Sequence, residues 1–297
     1  MTGLLAHVRF QGRTHRPTVR PERKPLAAQR PTTASRISSV QVSGDDACLL
    51  NAILSPTGMA VHNLRPAPLA RRIHAVLRAV RACDARQALA LVEQSAEAHR
   101  RALSALLIGH TLAFRDESVF QSLRRFVIPR LDARPRVWSI GCSRGLELLS
   151  VALLLEERAI SPSTVRASDL RQLDPLSDAT LVRDFAAAVP DEFAELAARA
   201  TPAWVRSQLQ AIDWRRENAL TAHLDGSWDL ILCRNLAIYL EADSAARLWQ
   251  RLAAALKPGG FLVVGKAERP VVSGLHRCGP CIYKRPRPLL AGGSHGA

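Results

Sequence analysis

The sequence predicts an α/β fold, a mostly parallel sheet with helices on both faces, preceded by a smaller all-helical domain. Three observations carry this. Residues 136–150 read as a strand, a glycine turn and a helix: Val137, Trp138 and Ile140 form a short apolar run with β-branched and aromatic bias, Gly141-Cys-Ser-Arg-Gly145 punctuates it, and Leu146, Leu149, Leu153 and Leu154 then recur at helical spacing. Strand-like runs reappear at Val165–Ser168, Trp228–Cys233 and Phe261–Val264, each separated from the next by enough chain for a helical crossover. Residues 45–132 carry no such runs and repeat apolar side chains every three or four positions.

The bulk composition bounds the rest. A chain of 297 residues has room for one large or two ordinary domains, and a hydrophobic content of 47% is that of a globular protein. No apolar run approaches the roughly 20 residues that a membrane helix needs. The net charge of +15 points to acidic partners, whether nucleic acid, an anionic membrane or an acidic protein surface, and does not choose among them. Six cysteines are scattered without a scaffold pattern, so a reduced, cytoplasmic setting is expected. Cys278-Gly-Pro-Cys281 has the spacing of a redox pair, which belongs at a helix start; here Ile282-Tyr-Lys284 follows it, and a turn feeding a last strand is the better reading.

In chain order, residues 1–44 form a basic, proline-broken tail, expected to be disordered; a nucleic-acid arm would lack stacking aromatics, and a transit peptide its amphipathic helix. The helical domain, 45–132, follows. Its first long helix holds Leu69, Ile73, Val76, Leu77 and Val80, with Arg71, Arg72, Arg78 and Arg81 among them. Those arginines are either a solvated face or a docking surface for an acidic helix. A second apolar stripe ends near His99, and Ser104–Ile108 and Phe120–Val127 suggest two more helices.

The α/β domain spans 133–288, with a short tail at 289–297. Its helices are expected to reach about Arg158, to run through the Ala-rich stretch from Pro175 to Ala200, and to span Asp243–Leu256. Ile212–Trp214 is a short strand candidate, Trp204–Leu209 resembles a strand, Lys257-Pro-Gly-Gly260 is turn chemistry, and a hairpin closes the chain around Cys278–Tyr283. That terminal hairpin fits a class I methyltransferase better than a nicotinamide enzyme.

The glycine turn has two readings, a plain strand-to-helix corner or a phosphate- or nucleoside-binding loop. Asp169 favours the second. It ends the next apolar run about twenty residues beyond the turn, where such folds place a carboxylate for ribose hydroxyls. The two together argue for an adenosine-type ligand.

Five ordered motifs across residues 50–286 resemble the CheR-type chemotaxis receptor methyltransferases. The family's T-x-F-F-R-[DE] corresponds to Thr111-Leu-Ala-Phe-Arg-Asp116, its G-C-S-T-G-E-E-P-Y-S to Gly141-Cys-Ser-Arg-Gly-Leu-Glu-Leu-Leu-Ser150, and its acidic strand end to Ala167-Ser-Asp169. Its C-R-N-x-x-I-Y-F corresponds to Cys233-Arg-Asn-Leu-Ala-Ile-Tyr-Leu240, and its P-G-G-x-L-x-x-G-x-x-E to Pro258-Gly-Gly-Phe-Leu-Val-Val-Gly-Lys-Ala-Glu268. The resemblance implies an S-adenosylmethionine enzyme that methylates glutamate side chains of receptor helices. It implies cofactor contacts from Thr111, Arg115, Gly141, Gly145, Glu147, Asp169, Asn218, Ala219 and Asn235, with Asp169 on the ribose and Asn218 near the adenine. Arg115, Arg234 and Tyr239 would work on the acceptor side.

Those residue types suit the chemistry. A glutamate acceptor, whose carboxyl ordinarily titrates at roughly pH 4.3, is ionised near neutrality and needs a guiding cation and a hydrogen bond rather than a base. Arg115 and Tyr239 supply them; His110, the histidine beside these motifs, is equally well read as a surface or capping residue. Arg144 and Leu146, Leu148 and Leu149 depart from the family turn, and Arg144 is expected either to pair with Glu147 or to meet an anionic ligand group. Cys142 and Cys233 are expected to be buried packing residues. The partner expected is an acidic protein, with no nucleic acid, no membrane insertion, no metal and a monomeric chain. A repurposed enzyme acting on another carboxylate, and a non-catalytic cofactor-binding module, stay open beside the receptor reading.

Overall fold

A computed structural model describes residues 44–287 apart from 110 and 178, all within one compact unit that begins at Ser39. Residues 1–43 of the basic tail, His110 and the segment 289–297 lie outside the described residues.

The strands are Arg136–Ile140 (β1), Thr164–Asp169 (β2), Asp213–Arg216 (β3), Trp228–Cys233 (β4), Leu256–Val264 (β5), His276–Gly279 (β6) and Ile282–Lys284 (β7). They form one sheet in the order β3-β2-β1-β4-β5-β7-β6. Pairings from β3 through β5 are parallel, and β7 runs antiparallel between β5 and β6. This is the expected Rossmann-like α/β arrangement with its closing hairpin. The Cys278–Cys281 segment forms that hairpin's turn, with Cys281 in the left-handed region at φ 60°. Parallel strands must be covered on both faces, and all six residues of β4 are buried. The first crossover helix, Leu146–Glu157 (α6), buries eight of its twelve residues against the sheet.

Ahead of the sheet come helices Gly44–Leu54 (α1), Pro66–Val80 (α2), Ala85–Gln94 (α3), Ala96–Leu106 (α4) and Glu117–Ser122 (α5). The apolar stripe expected to end near His99 is broken earlier, at Ser95. That residue terminates α3 and caps α4, its hydroxyl accepting from the Ala98 N–H. His99 lies inside α4 with its ring against the Ile53 carbonyl at 2.9 Å. Buried side chains of these helices and of the sheet belong to one continuous core.

The segment between β2 and β3 differs from expectation. The Ala-rich stretch is not one helix: Ala179–Ala187 (α7) stops before Pro190, and Ala194–Ala197 (α8) is a single turn. Trp204–Leu209 is not a strand but part of helix Pro202–Ala211 (α9), because Thr201 caps the Trp204 N–H and Pro202 occupies the first helical position. Among the described residues, this interval contains helices and no strand. Ala242–Ala255 (α10) matches its expected span closely. Lys257–Gly260 is not a turn between elements. It lies within β5, where the register to β4 jumps from Trp228↔Leu256 to Leu230↔Phe261 and Gly259 takes φ +91°. The turn-forming residues are spent on a bulge.

Candidate active site

Sheet order reverses between β1 and β4, which leaves a crevice at their carboxyl ends, where open α/β sheets bind ligands. Gly141–Ser143 follow β1, Asp169 ends β2, Glu217 and Asn218 follow β3, Arg234–Leu236 follow β4, and Gly265–Glu268 follow β5. Two adjoining cavities occupy this crevice and share Ile108, Gly141, Asn235 and Tyr239 in their walls. One is mostly apolar, between the sheet end and helices α2 and α4, with Asp169, Arg171, Glu217 and Asn218 as its polar side and Ala219 beside them. The other is polar and is lined by Thr111, Arg115, Glu147, Arg234, Asn235 and Tyr239.

Arg234 organises the polar cavity. Its Nη1 bonds Glu147 Oε1 at 2.6 Å, and its Nη2 bonds the Arg115 carbonyl at 2.6 Å and Asp116 Oδ2 at 3.0 Å. Its side chain is 3% exposed and its guanidinium lies over the Phe120 ring at 5.3 Å, while its Nε has no partner among the described residues. Glu147 also accepts from Ser139 Oγ at 3.2 Å. Arg144 donates to Thr180 Oγ1 at 2.9 Å, and of the two roles expected for it, pairing with Glu147 is taken by Arg234 instead. The loop carrying Thr111 and Arg115 is fixed to α6 through Ser150, whose hydroxyl accepts from the Phe114 N–H at 2.9 Å.

A residue to which the sequence reasoning gave no role holds the floor. Glu268, 3% exposed, accepts from the N–H groups of Asn235, Leu236, Ala237 and Gly265 at 2.7–2.9 Å. Both carboxylate oxygens are thereby used twice, which sets the loop after β4, where Asn235 takes φ 56°. A side chain at Gly265 would strike this carboxylate, with a Cβ 2.8 Å from Oε2. Glu268 stood in the sequence as the last letter of a motif, the one available signal.

On the apolar side, Gly141 (φ 66°) leaves no room for a side chain, since a Cβ would sit 2.5 Å from Leu236 Cδ1. Gly145 (φ 83°) faces away from the cavities and makes room for Trp214, so it shapes the turn rather than lining the crevice. Asn218 donates to the Gly58 carbonyl at 2.7 Å and caps the Leu220 N–H. Glu217 accepts from Ser168 Oγ at 3.1 Å, which itself accepts from the Trp138 indole at 2.8 Å. Asp169 is 7% exposed and bonded to the Ser143 N–H and to Arg171. Burial alone would lower the Arg171 pKa, but its bonds to Asp169 and that carboxylate's charge outweigh it and raise it above the ordinary arginine range. Cys142 and Cys233 are buried as expected, and burial pushes both thiols well up, so neither is a nucleophile near neutrality.

An apolar slot ending in a buried carboxylate, joined to a small charged chamber, fits a nucleoside carrying a zwitterionic side arm. Residues 109–276 match the family model described as the CheR methyltransferase, SAM binding domain. The chain belongs to the CheR methyltransferase family. It is an S-adenosylmethionine-dependent methyltransferase with the class I fold. A chemotaxis protein methyltransferase of Listeria innocua is 30% identical over 180 residues, covering 56% of this chain and 68% of that one. One from Vibrio cholerae is 28% identical over 207 residues, covering 62% and 74%. Among solved structures, the N-methyltransferase NodS of Bradyrhizobium japonicum is 15% identical with a TM-score of 0.34, over 65% of this chain and 71% of its own. Against the CheR motifs, the crevice brings together every predicted site residue except Gly145, and it draws Arg234 into an ion-pair network.

Proposed function

We propose that this CheR-family enzyme methylates glutamate carboxylates of chemoreceptor helices or related signalling proteins. The observation that carries the reading is the wall of the polar chamber, where the cations Arg115 and Arg234 and the Tyr239 hydroxyl gather around one space. Its one carboxylate, Glu147, is committed to Arg234 and Ser139, and no histidine among the described residues lines it. Such a chamber suits an acceptor that is already an anion.

When bound, S-adenosylmethionine supplies a sulfonium-activated methyl group. Asp169, Asn218 and Ala219 would hold its nucleoside, and Thr111, Glu147, Asn235 and Arg115 its amino-acid arm. Arg115 and the Tyr239 hydroxyl would orient the acceptor carboxylate, while Arg234 holds Glu147 in place. Holding the reacting atoms about 3–3.5 Å apart and in line is the main task left to the protein. The likeness in sequence to proteins named chemotaxis protein methyltransferases supports a receptor substrate.

The test is the lability of the product. Labelled methyl groups transferred to receptor cytoplasmic fragments should be released as methanol by mild alkali. A base-stable product would rule out the carboxylate.

A further inference from the structure

We infer that Arg171 is an internal competitor for the ribose-binding carboxylate, so that cofactor binding is an exchange in which a nucleoside diol replaces a guanidinium. This rests on reading the crevice as the cofactor site.

An ionised carboxylate offers about four acceptor positions, and at Asp169 all four are taken by protein donors. Oδ1 accepts from the Arg171 N–H at 3.0 Å and from Arg171 Nε at 2.9 Å. Oδ2 accepts from the Ser143 N–H at 3.0 Å and from Arg171 Nη2 at 3.0 Å. The two backbone bonds fix the carboxylate at the end of β2, the two side-chain bonds fill its remaining positions, and Asp169 and Arg171 both line the apolar cavity. The side-chain bonds are the removable ones. A diol donating two O–H groups needs the two positions that Nε and Nη2 fill, and the two ligands cannot share them. The guanidinium is further accommodated by Gly109, where a Cβ would lie 2.1 Å from Arg171 Nη1. The pair is well shielded, with side chains 14% and 6% exposed, so it is held firmly and must still open toward the cavity for a ligand to reach Asp169.

The consequence is quantitative. If the open form is a fraction f of the population, the apparent dissociation constant is the intrinsic one divided by f. Removing the competitor therefore tightens binding, whereas removing a genuine cofactor ligand would weaken it. The two roles predict opposite signs.

The experiment is calorimetric titration of the full chain with S-adenosylhomocysteine. Arg171→Ala and Arg171→Met, the second retaining apolar bulk, should both bind more tightly than the unaltered protein, by about tenfold if the open form is about a tenth of the population. Asp169→Ala should cost more affinity in the Arg171→Met background than in the unaltered one, because only there does the change lose an acceptor without also removing the competitor. In the unaltered protein, the Arg171 Nε–H nuclear resonance should be shielded from solvent and should lose that shielding when S-adenosylhomocysteine is added. Equal or weaker binding by both variants, or a resonance unmoved at saturation, would overturn the exchange while leaving the cofactor reading intact. No binding by either the unaltered protein or the variants would instead remove the cofactor reading, and this inference with it.

Discussion

Arg234 donates to Glu147 at 2.6 Å across the point where the sheet order reverses. The same guanidinium reaches Asp116, so the end of β4, helix α6 and the loop before α5 converge on one buried cation. Removing one member of a buried pair leaves an uncompensated charge, at a cost of about 3–5 kcal/mol. Arg234→Met should lose stability of that order in urea unfolding. Glu147→Gln, which keeps an acceptor for Nη1, should lose less. Similar losses from the two would show the pair to be slack.

Glu268 is a second test of the same region. Glu268→Ala would leave four N–H groups without their acceptor, each worth about 1–3 kcal/mol when buried and unsatisfied. Water entering the space will recover part of that. Unfolding well below the unaltered midpoint is expected, with faster amide exchange at Asn235–Ala237. Glu268→Gln should recover part of the loss, since its amide keeps one acceptor oxygen.

Tyr239 lines both cavities and offers a hydroxyl to an acceptor. Tyr239→Phe should lower kcat/KM for the protein substrate by about tenfold, the equivalent of one hydrogen bond. Affinity for S-adenosylhomocysteine should change little. A loss of cofactor affinity with turnover unchanged would place Tyr239 on the cofactor instead.

The cationic face of α2 divides in two. Arg71 and Arg78 are exposed and one heptad apart, whereas Arg72 lines the apolar cavity and donates to the Ala105 carbonyl at 2.9 Å. Reversing Arg71 and Arg78 to Glu should reduce kcat/KM for an acidic receptor, more at low salt than at physiological ionic strength, where screening acts over about 8 Å. Cofactor affinity should stay put. Arg72→Glu should damage folding and cofactor binding together. Identical salt profiles for both changes would dismiss the docking role.

Acid stability has a local contributor. Burial pushes the Asp225 carboxyl up, but its hydrogen bond from Arg136 and the charges of Arg166 and Arg136 outweigh this and hold it below its ordinary value of 3.8. A carboxyl depressed in the folded state adds stability that is present above the unfolded pKa and is lost as pH falls through the folded value. Asp225→Asn should therefore be less stable than the unaltered protein at pH 6, and the gap should close below about pH 4. With this carboxyl 43% exposed, the gap should be under about 1 kcal/mol. A gap that persists at low pH would assign the effect to packing.

How far the fold was legible depended on whether a pattern was local. Val137–Ile140, Trp228–Cys233 and α10 announced themselves because period and composition agree there. Trp204–Leu209 misled because its β-friendly side chains outweighed the Thr201-Pro202 start signal just before it. Lys257–Gly260 has genuine turn chemistry, and only the register between β4 and β5 shows it absorbed inside a strand. Within the site, positions were legible and partners were not. Asp169 stood where a ribose carboxylate belongs, yet nothing in the order of residues says that Arg171, two places on, folds back on it. Pairing with Glu147 was one of two roles expected of Arg144, and Glu147 pairs instead with Arg234, 87 positions away.

The Glu268 carboxylate also sets a timetable. Every side chain lining the polar chamber lies between Ile108 and Tyr239, and so leaves the ribosome before Glu268 does. The loop of Asn235–Ala237 has no acceptor for its three N–H groups until that residue emerges, and β5 lacks its outer neighbour until Ile282–Lys284 follows. A nascent chain arrested at residue 260 would carry the complete set of chamber-lining side chains and still hold no finished chamber, so competence to bind waits for Glu268 and Ile282–Lys284 to emerge.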